Sequence, residues 1–100
     1  MRRDNYILEG KIPVACDDIV KWALAFESTD RRVAENGKRG EVWVSTVFLG
    51  LDHQWGNGPP LVFETMIFGG EHDEWQDRCS TWDEALLMHK RACELAGIEP

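Results

Sequence analysis

Apolar positions in this chain follow two different periods. In "STWDEALLMHKRACELAG", residues 80–97, they recur at helical spacing. At about 100° per residue, Trp82, Ala85, Leu86, Met88, His89, Ala92, Cys93, Leu95 and Ala96 share one half of the wheel. Asp83, Glu84, Lys90, Arg91 and Glu94 share the other, and Leu87 lands among them, so Leu87 is expected in solvent. Ser80 or Thr81 is the expected N-cap. Thr81-x-x-Glu84 has the form of a capping box, in which hydroxyl and carboxylate close orphan N–H groups. Gly97 stands where a left-handed residue ends a helix. A second helix is expected over about 17–28 in "DDIVKWALAFES", with Asp17 as N-cap. Ile19, Trp22, Ala23 and Phe26 keep its helical spacing.

Between the helices the apolar blocks shorten to strand length. "YILEGKIPVAC" reads as one extended stretch, or as a short pair of strands turning at Glu9-Gly10. Pro13 lacks an N–H and confines this segment to an edge. Asn36-Gly37 accepts positive φ at both central turn positions, so a hairpin is expected there, with Gly40 extending the connection. It would join a strand at about 31–35 to a long one at about 41–51. The loop "DHQWGNGPP" (52–60) leads to a strand over 61–68. "GGEHDE" is a loop, and "WQDRCS" is compatible with a further short strand. Tight connections make neighbouring strands antiparallel. The expected fold class is α+β in a single domain, residues 1–100, in the order β-α-β-β-β-(β)-α. It is an antiparallel sheet of about three to five strands with two helices packed on one face.

The central strands are apolar on both faces. Val42, Val44, Thr46 and Phe48 alternate with Trp43, Ser45, Val47, Leu49 and Leu51. Leu61, Phe63, Thr65 and Ile67 alternate with Val62, Glu64, Met66 and Phe68. A free face of an antiparallel sheet normally carries polar residues. Two helices cover one face, so the other calls for a cover: the N-terminal segment, a second copy of the chain, or another protein.

Composition then narrows the class. The chain is 43% hydrophobic and 29% charged, with five Trp and four Phe, enough to offset ordering entropy. Its net charge is −7, unequally spread: residues 1–39 carry +1 and residues 40–100 carry −8. Direct nucleic-acid binding is disfavoured, because phosphates would meet like charge. A partner with a basic surface is permitted. Cys16, Cys79 and Cys93 are odd in number and lack metal-ligand spacing, so free thiols in a reducing cytoplasm are expected. "MRRDNY" is followed by no apolar signal region, and no run is long enough to span a membrane. No motif calls for a cofactor.

Candidate binding residues follow from this. Trp43 lies on the second sheet face. Trp55 sits in a loop, where a Trp offers large contact area at small entropy cost; the alternative is that it folds back on the sheet. Glu71, Asp73, Glu74 and Trp75 form an acidic stretch complementary to a basic groove, although charge runs are ordinarily just solvated. Asp52, His53, Glu64 and His72 are the candidate metal ligands, but none are spaced i, i+4 on a helix. A small metal-dependent enzyme is therefore the alternative reading. No nucleophile with a base and an orienting group is recognisable. His89 reads as a core histidine satisfied by one hydrogen bond, and Glu64 as the ion-pair partner of Arg78.

"VSTVFLGLDHQWGNGPPLVFETMIFGG" followed by "STWDEALLMHKR" resembles a family of small, mostly uncharacterised bacteriophage and prophage proteins. The similarity covers roughly the last 60 residues and, separately, "PVACDDIVKWALAFE" (13–27) near the start. The resemblance implies a bacterial or phage cytoplasmic setting. Small acidic phage proteins often act by binding a host or phage protein, and that association makes protein binding the expected role, an inhibitor of host defence being the specific version. A structural homodimer or assembly accessory is the remaining alternative. No functional residues transfer from it.

Overall fold

Hairpins fold the middle of the chain into one sheet, and the C-terminal helix lies across it. The computed structural model describes residues 4–28 and 30–100. Strands β1 (Tyr6–Glu9) and β2 (Ile12–Ala15) precede helix α1 (Ile19–Ser28). Strands β3 (Arg32–Gly37), β4 (Trp43–Phe48), β5 (Phe63–Phe68) and β6 (Gln76–Cys79) follow, and helix α2 (Trp82–Ala96) closes the fold. β3-β4-β5-β6 form an antiparallel four-stranded sheet in sequence order, and β1-β2 form a separate hairpin. The α+β class is as expected, and the first segment takes the paired form, turning at Gly10.

Helix α2 buries Ala85, Met88, His89, Ala92 and Cys93, a stripe at i, i+3, i+4, i+7 and i+8. Its ends follow the sequence signals. Thr81 and Glu84 complete the capping box, and Gly97 adopts φ 77°. Leu87 is exposed as expected, but Leu86 and Leu95, placed inside by the wheel, are exposed at its margins. The stripe meets Val44, Thr46 and Phe48 of β4 and Phe63, Thr65 and Ile67 of β5, all buried. Val44, Ile67, Ala92 and Cys93 form one apolar cluster, with Trp75 and Ile98 at its rim. Phe48, Val62, Phe63 and Ala85 form the second, closed by Tyr6, Leu8 and Trp82. The N-terminal hairpin thus adds to the face that α2 already covers. Tyr6 N–H donates to the Gly50 carbonyl (2.9 Å) and Asp52 N–H to that of Asp4 (3.0 Å), tying the hairpin to the chain beyond β4.

Three details differ from expectation. The β3–β4 turn is not at Asn36-Gly37. β3 runs through both residues, and Lys38 N–H closes the turn on the Val42 carbonyl (2.8 Å). Asn36 faces α2, and Gly40 supplies a positive φ of 89° in the turn. Helix α1 begins two residues late, capped by Asp18 instead of Asp17. The Asp18 carboxylate accepts from the N–H groups of Val20 (3.0 Å) and Lys21 (3.1 Å). Finally, α2 takes the sheet while α1 takes β1. The seat of α1 is Gly50. The Trp22 indole N–H donates to the Gly50 carbonyl (3.0 Å), and a Cβ on Gly50 would lie 2.8 Å from the Phe26 ring.

Candidate interaction surfaces

Strand alternation places Trp43, Ser45 and Val47 of β4 beside Glu64, Met66 and Phe68 of β5 on the sheet face away from α2. Among the described residues no helix is laid across this face. Its own long side chains shield it instead. The Trp43 and Phe68 rings stack with centroids 4.8 Å apart, and the Arg39 guanidinium lies 4.4 Å from the Trp43 ring. The Trp43 indole N–H donates to the Glu35 carboxylate (3.2 Å), which also pairs with Arg32 (3.3 Å). At the other end Arg78 donates to Glu64 (2.9 Å), the ion pair expected from sequence. Ser45 is buried and Phe68 is only 38% exposed. The stems of Arg side chains cover apolar surface while their heads stay wet, so this face is half closed by β3 and β6.

Helix α1 is barer. Trp22, Ala25 and Phe26 are half-buried on its inner side, and the helix contains no buried residue. On its outer side Ile19 is 60% exposed, Val20 64% and Leu24 62%, with Ala23 exposed between them. A helix apolar all round is ordinarily buried all round. Here Asp17 and Asp18 stand at one end of the outer face, and Glu27 and Asp30 at the other, all exposed. Lys21 is the helix's own cation. Arg31 is drawn away, its guanidinium 3.8 Å from the Phe26 ring. The helical spacing groups Ile19 and Ala23 with Trp22 and Phe26, but only Trp22 and Phe26 turn inward. The contrary signal was available: nearly every position from 19 to 26 is apolar, so no single face is specified.

The loops place the other candidates. Trp55 stands 74% exposed at the tip of the 52–60 loop. The base of that loop is clamped by the Asp52 carboxylate, which accepts from Gln54 N–H (2.8 Å) and Leu61 N–H (2.9 Å). Glu71, Asp73 and Glu74 are exposed in the β5–β6 connection. There Asp73 accepts from Gly69 N–H (2.6 Å), and Glu74 has φ 71°. Trp75 does not join them at the surface; it packs inward against the Val44–Ile67–Ala92–Cys93 cluster.

The four candidate metal ligands are not gathered. Asp52 staples its loop, Glu64 pairs with Arg78, His53 lies in the loop strapped to Leu61, and His72 lies in the β5–β6 turn. Among the described residues no group of three or more His, Cys, Asp or Glu side chains is placed to hold one metal ion. The thiols of Cys79 and Cys93 are unactivated. Burial, then the Glu84 carboxylate, pushes Cys79 up to about 11, and burial raises Cys93.

One polar network lies inside the molecule. His89 Nε2 bonds the Asn36 side-chain oxygen (2.7 Å), and His89 Nδ1 bonds the Thr46 hydroxyl (2.7 Å), which in turn meets the Thr65 hydroxyl. An amide oxygen only accepts, so Nε2 carries the proton and Nδ1 accepts from Thr46, leaving Thr65 to donate to Thr46. His89 therefore makes two hydrogen bonds, not one. It is a core residue with no substrate access.

The fold and its surfaces define a two-layer α+β protein that carries a partly unburied apolar helix beside its sheet. No family model matches the chain, and no curated protein or solved structure is significantly similar to it. No helix among the described residues is long and apolar enough to cross a membrane.

Proposed function

We propose that this protein works by binding another protein and not by catalysing a reaction. The observation that carries the reading is the outer side of α1, where Ile19, Val20 and Leu24 are each more than half exposed on a helix whose other side is already docked. Full burial of such a side chain is worth about 1.5–3 kcal/mol, and more than half of each is still in water. A contiguous apolar patch of this kind marks interaction sites. The resemblance to phage and prophage proteins gives the setting: a bacterial cytoplasm, with a component of a host defence system as the specific target. The test is capture of host proteins on the immobilised chain. A host protein retained in stoichiometric amount, at physiological salt and in competition with the whole lysate, is the expected result. Retention of chaperones alone would sink the reading. The specific version predicts that expression of the chain restores plaque formation on a strain whose defence system blocks the phage.

A further inference from the structure

We infer that α1 is the docking element and that it enters an apolar groove rimmed by lysine or arginine on a different protein. This rests on the binding reading above and adds the surface and its chemistry. The outer face of α1 presents Ile19, Val20, Ala23 and Leu24, at i, i+1, i+4 and i+5, a single stripe along one side of the helix. Within it Val20, Ala23 and Leu24 stand at i, i+3 and i+4, three of the anchor positions read by a groove that receives an amphipathic helix, with Glu27 at i+7. Ala23 in the middle of the stripe lets a wall approach closely.

The frame around the stripe decides the occupant. Among the described residues Asp17, Asp18, Glu27 and Asp30 stand around it, Asp18 and Asp30 while also accepting from backbone N–H groups, against Lys21, since Arg31 is held over Phe26. A second copy of the chain would bring an identical acidic frame against this one, on molecules that each carry −7. Like charges facing across an interface select against that pairing, whereas a basic rim is attracted and oriented. The open sheet face lacks this signature: Arg32, Arg39 and Arg78 outnumber Glu35 and Glu64, and these charges are already engaged within the face.

The test uses the full chain, with the host protein it retains, once purified, as the probe. Val20→Asp/Leu24→Asp, Asp17→Lys/Glu27→Lys and Phe68→Ser are compared with wild type after circular dichroism confirms the fold of each. All five positions are exposed, and none holds the core together. Retention is expected to weaken about tenfold or more with the first variant, the scale of losing large apolar side chains from an interface. It should weaken several-fold with the second and on adding salt, and stay unchanged with the third. Light scattering of the purified chain alone should give a monomer. Retention indifferent to the α1 variants overturns the inference, as does a dimer that Val20→Asp/Leu24→Asp disperses. Loss with Phe68→Ser alone moves the dock to the sheet and leaves the binding reading standing. No retained protein overturns both.

Discussion

At the scale of single residues, the most constrained group is His89. Thr46, Thr65 and Asn36 surround it, all uncharged, and burial lowers its pKa below the ordinary histidine value. The unfolded chain, where histidine titrates near about 6.5, then binds the proton more readily than the folded one. The neutral ring's contribution is fully present above about pH 6.5 and is lost as pH falls through the lower, folded value. Urea midpoints measured at about pH 7.5 and about pH 5.5 should therefore fall more in wild type than in His89→Gln; equal slopes would remove His89 as the cause. Thr46→Val probes the same network from the sheet side. It takes the proton from His89 Nδ1 and the acceptor from Thr65 at once. Orphaned buried polar atoms cost about 1–3 kcal/mol each, so denaturant unfolding should register at least that, with Thr46→Ser much closer to wild type.

At the scale of elements, contacts between backbone and neighbour do the positioning. Gly50 has φ 78° and lies against Phe26, so a methyl group there meets both backbone strain and the ring. Gly50→Ala should cost about 1 kcal/mol or more and change the fluorescence of Trp22, whose indole is bonded to Gly50. An unchanged spectrum would mean that α1 is seated elsewhere. The sheet edges show a second device. Arg31 and Cys79 turn their carbonyls inward, to Phe48 and Val62. Strand alternation then turns the N–H groups of Arg32 and Arg78 outward. Each is taken by a nearby carboxylate, Asp30 at 3.0 Å and Asp77 at 2.9 Å. Blocked donors hinder edge-to-edge pairing, so Asp30→Ala/Asp77→Ala should aggregate at concentrations where wild type stays dispersed by light scattering. These contacts also explain what sequence could convey. Helix α2 was legible to its caps because Thr81, Glu84 and Gly97 act locally and its apolar stripe is unambiguous. Asn36-Gly37 misled because its asparagine is committed to His89, 53 positions away, and Gly40 serves the turn. The outer face of α1 stayed hidden because periodicity cannot choose between two apolar sides. The inward turn of Trp75 stayed hidden because a local charge run says nothing about the core behind it.

At the scale of the whole molecule, charge and thickness act together. The thinnest dimension is 20 Å, room for one helix layer on one sheet. Eighteen acidic side chains face eleven basic ones on this slab of 40 × 30 × 20 Å. At about 0.01 M salt the screening length is about 30 Å, so charges across the molecule repel one another; at about 0.15 M it is about 8 Å and most of that repulsion is gone. Self-repulsion destabilises the compact state, so the thermal midpoint of the free chain should rise by a few degrees over that range. Association with a basic-rimmed groove depends on the same field with the opposite sign, and should weaken as salt is added. Folding and binding must therefore respond to salt in opposite directions. Parallel responses would mean that apolar burial alone drives both, and that the acids around α1 take no part in choosing its partner.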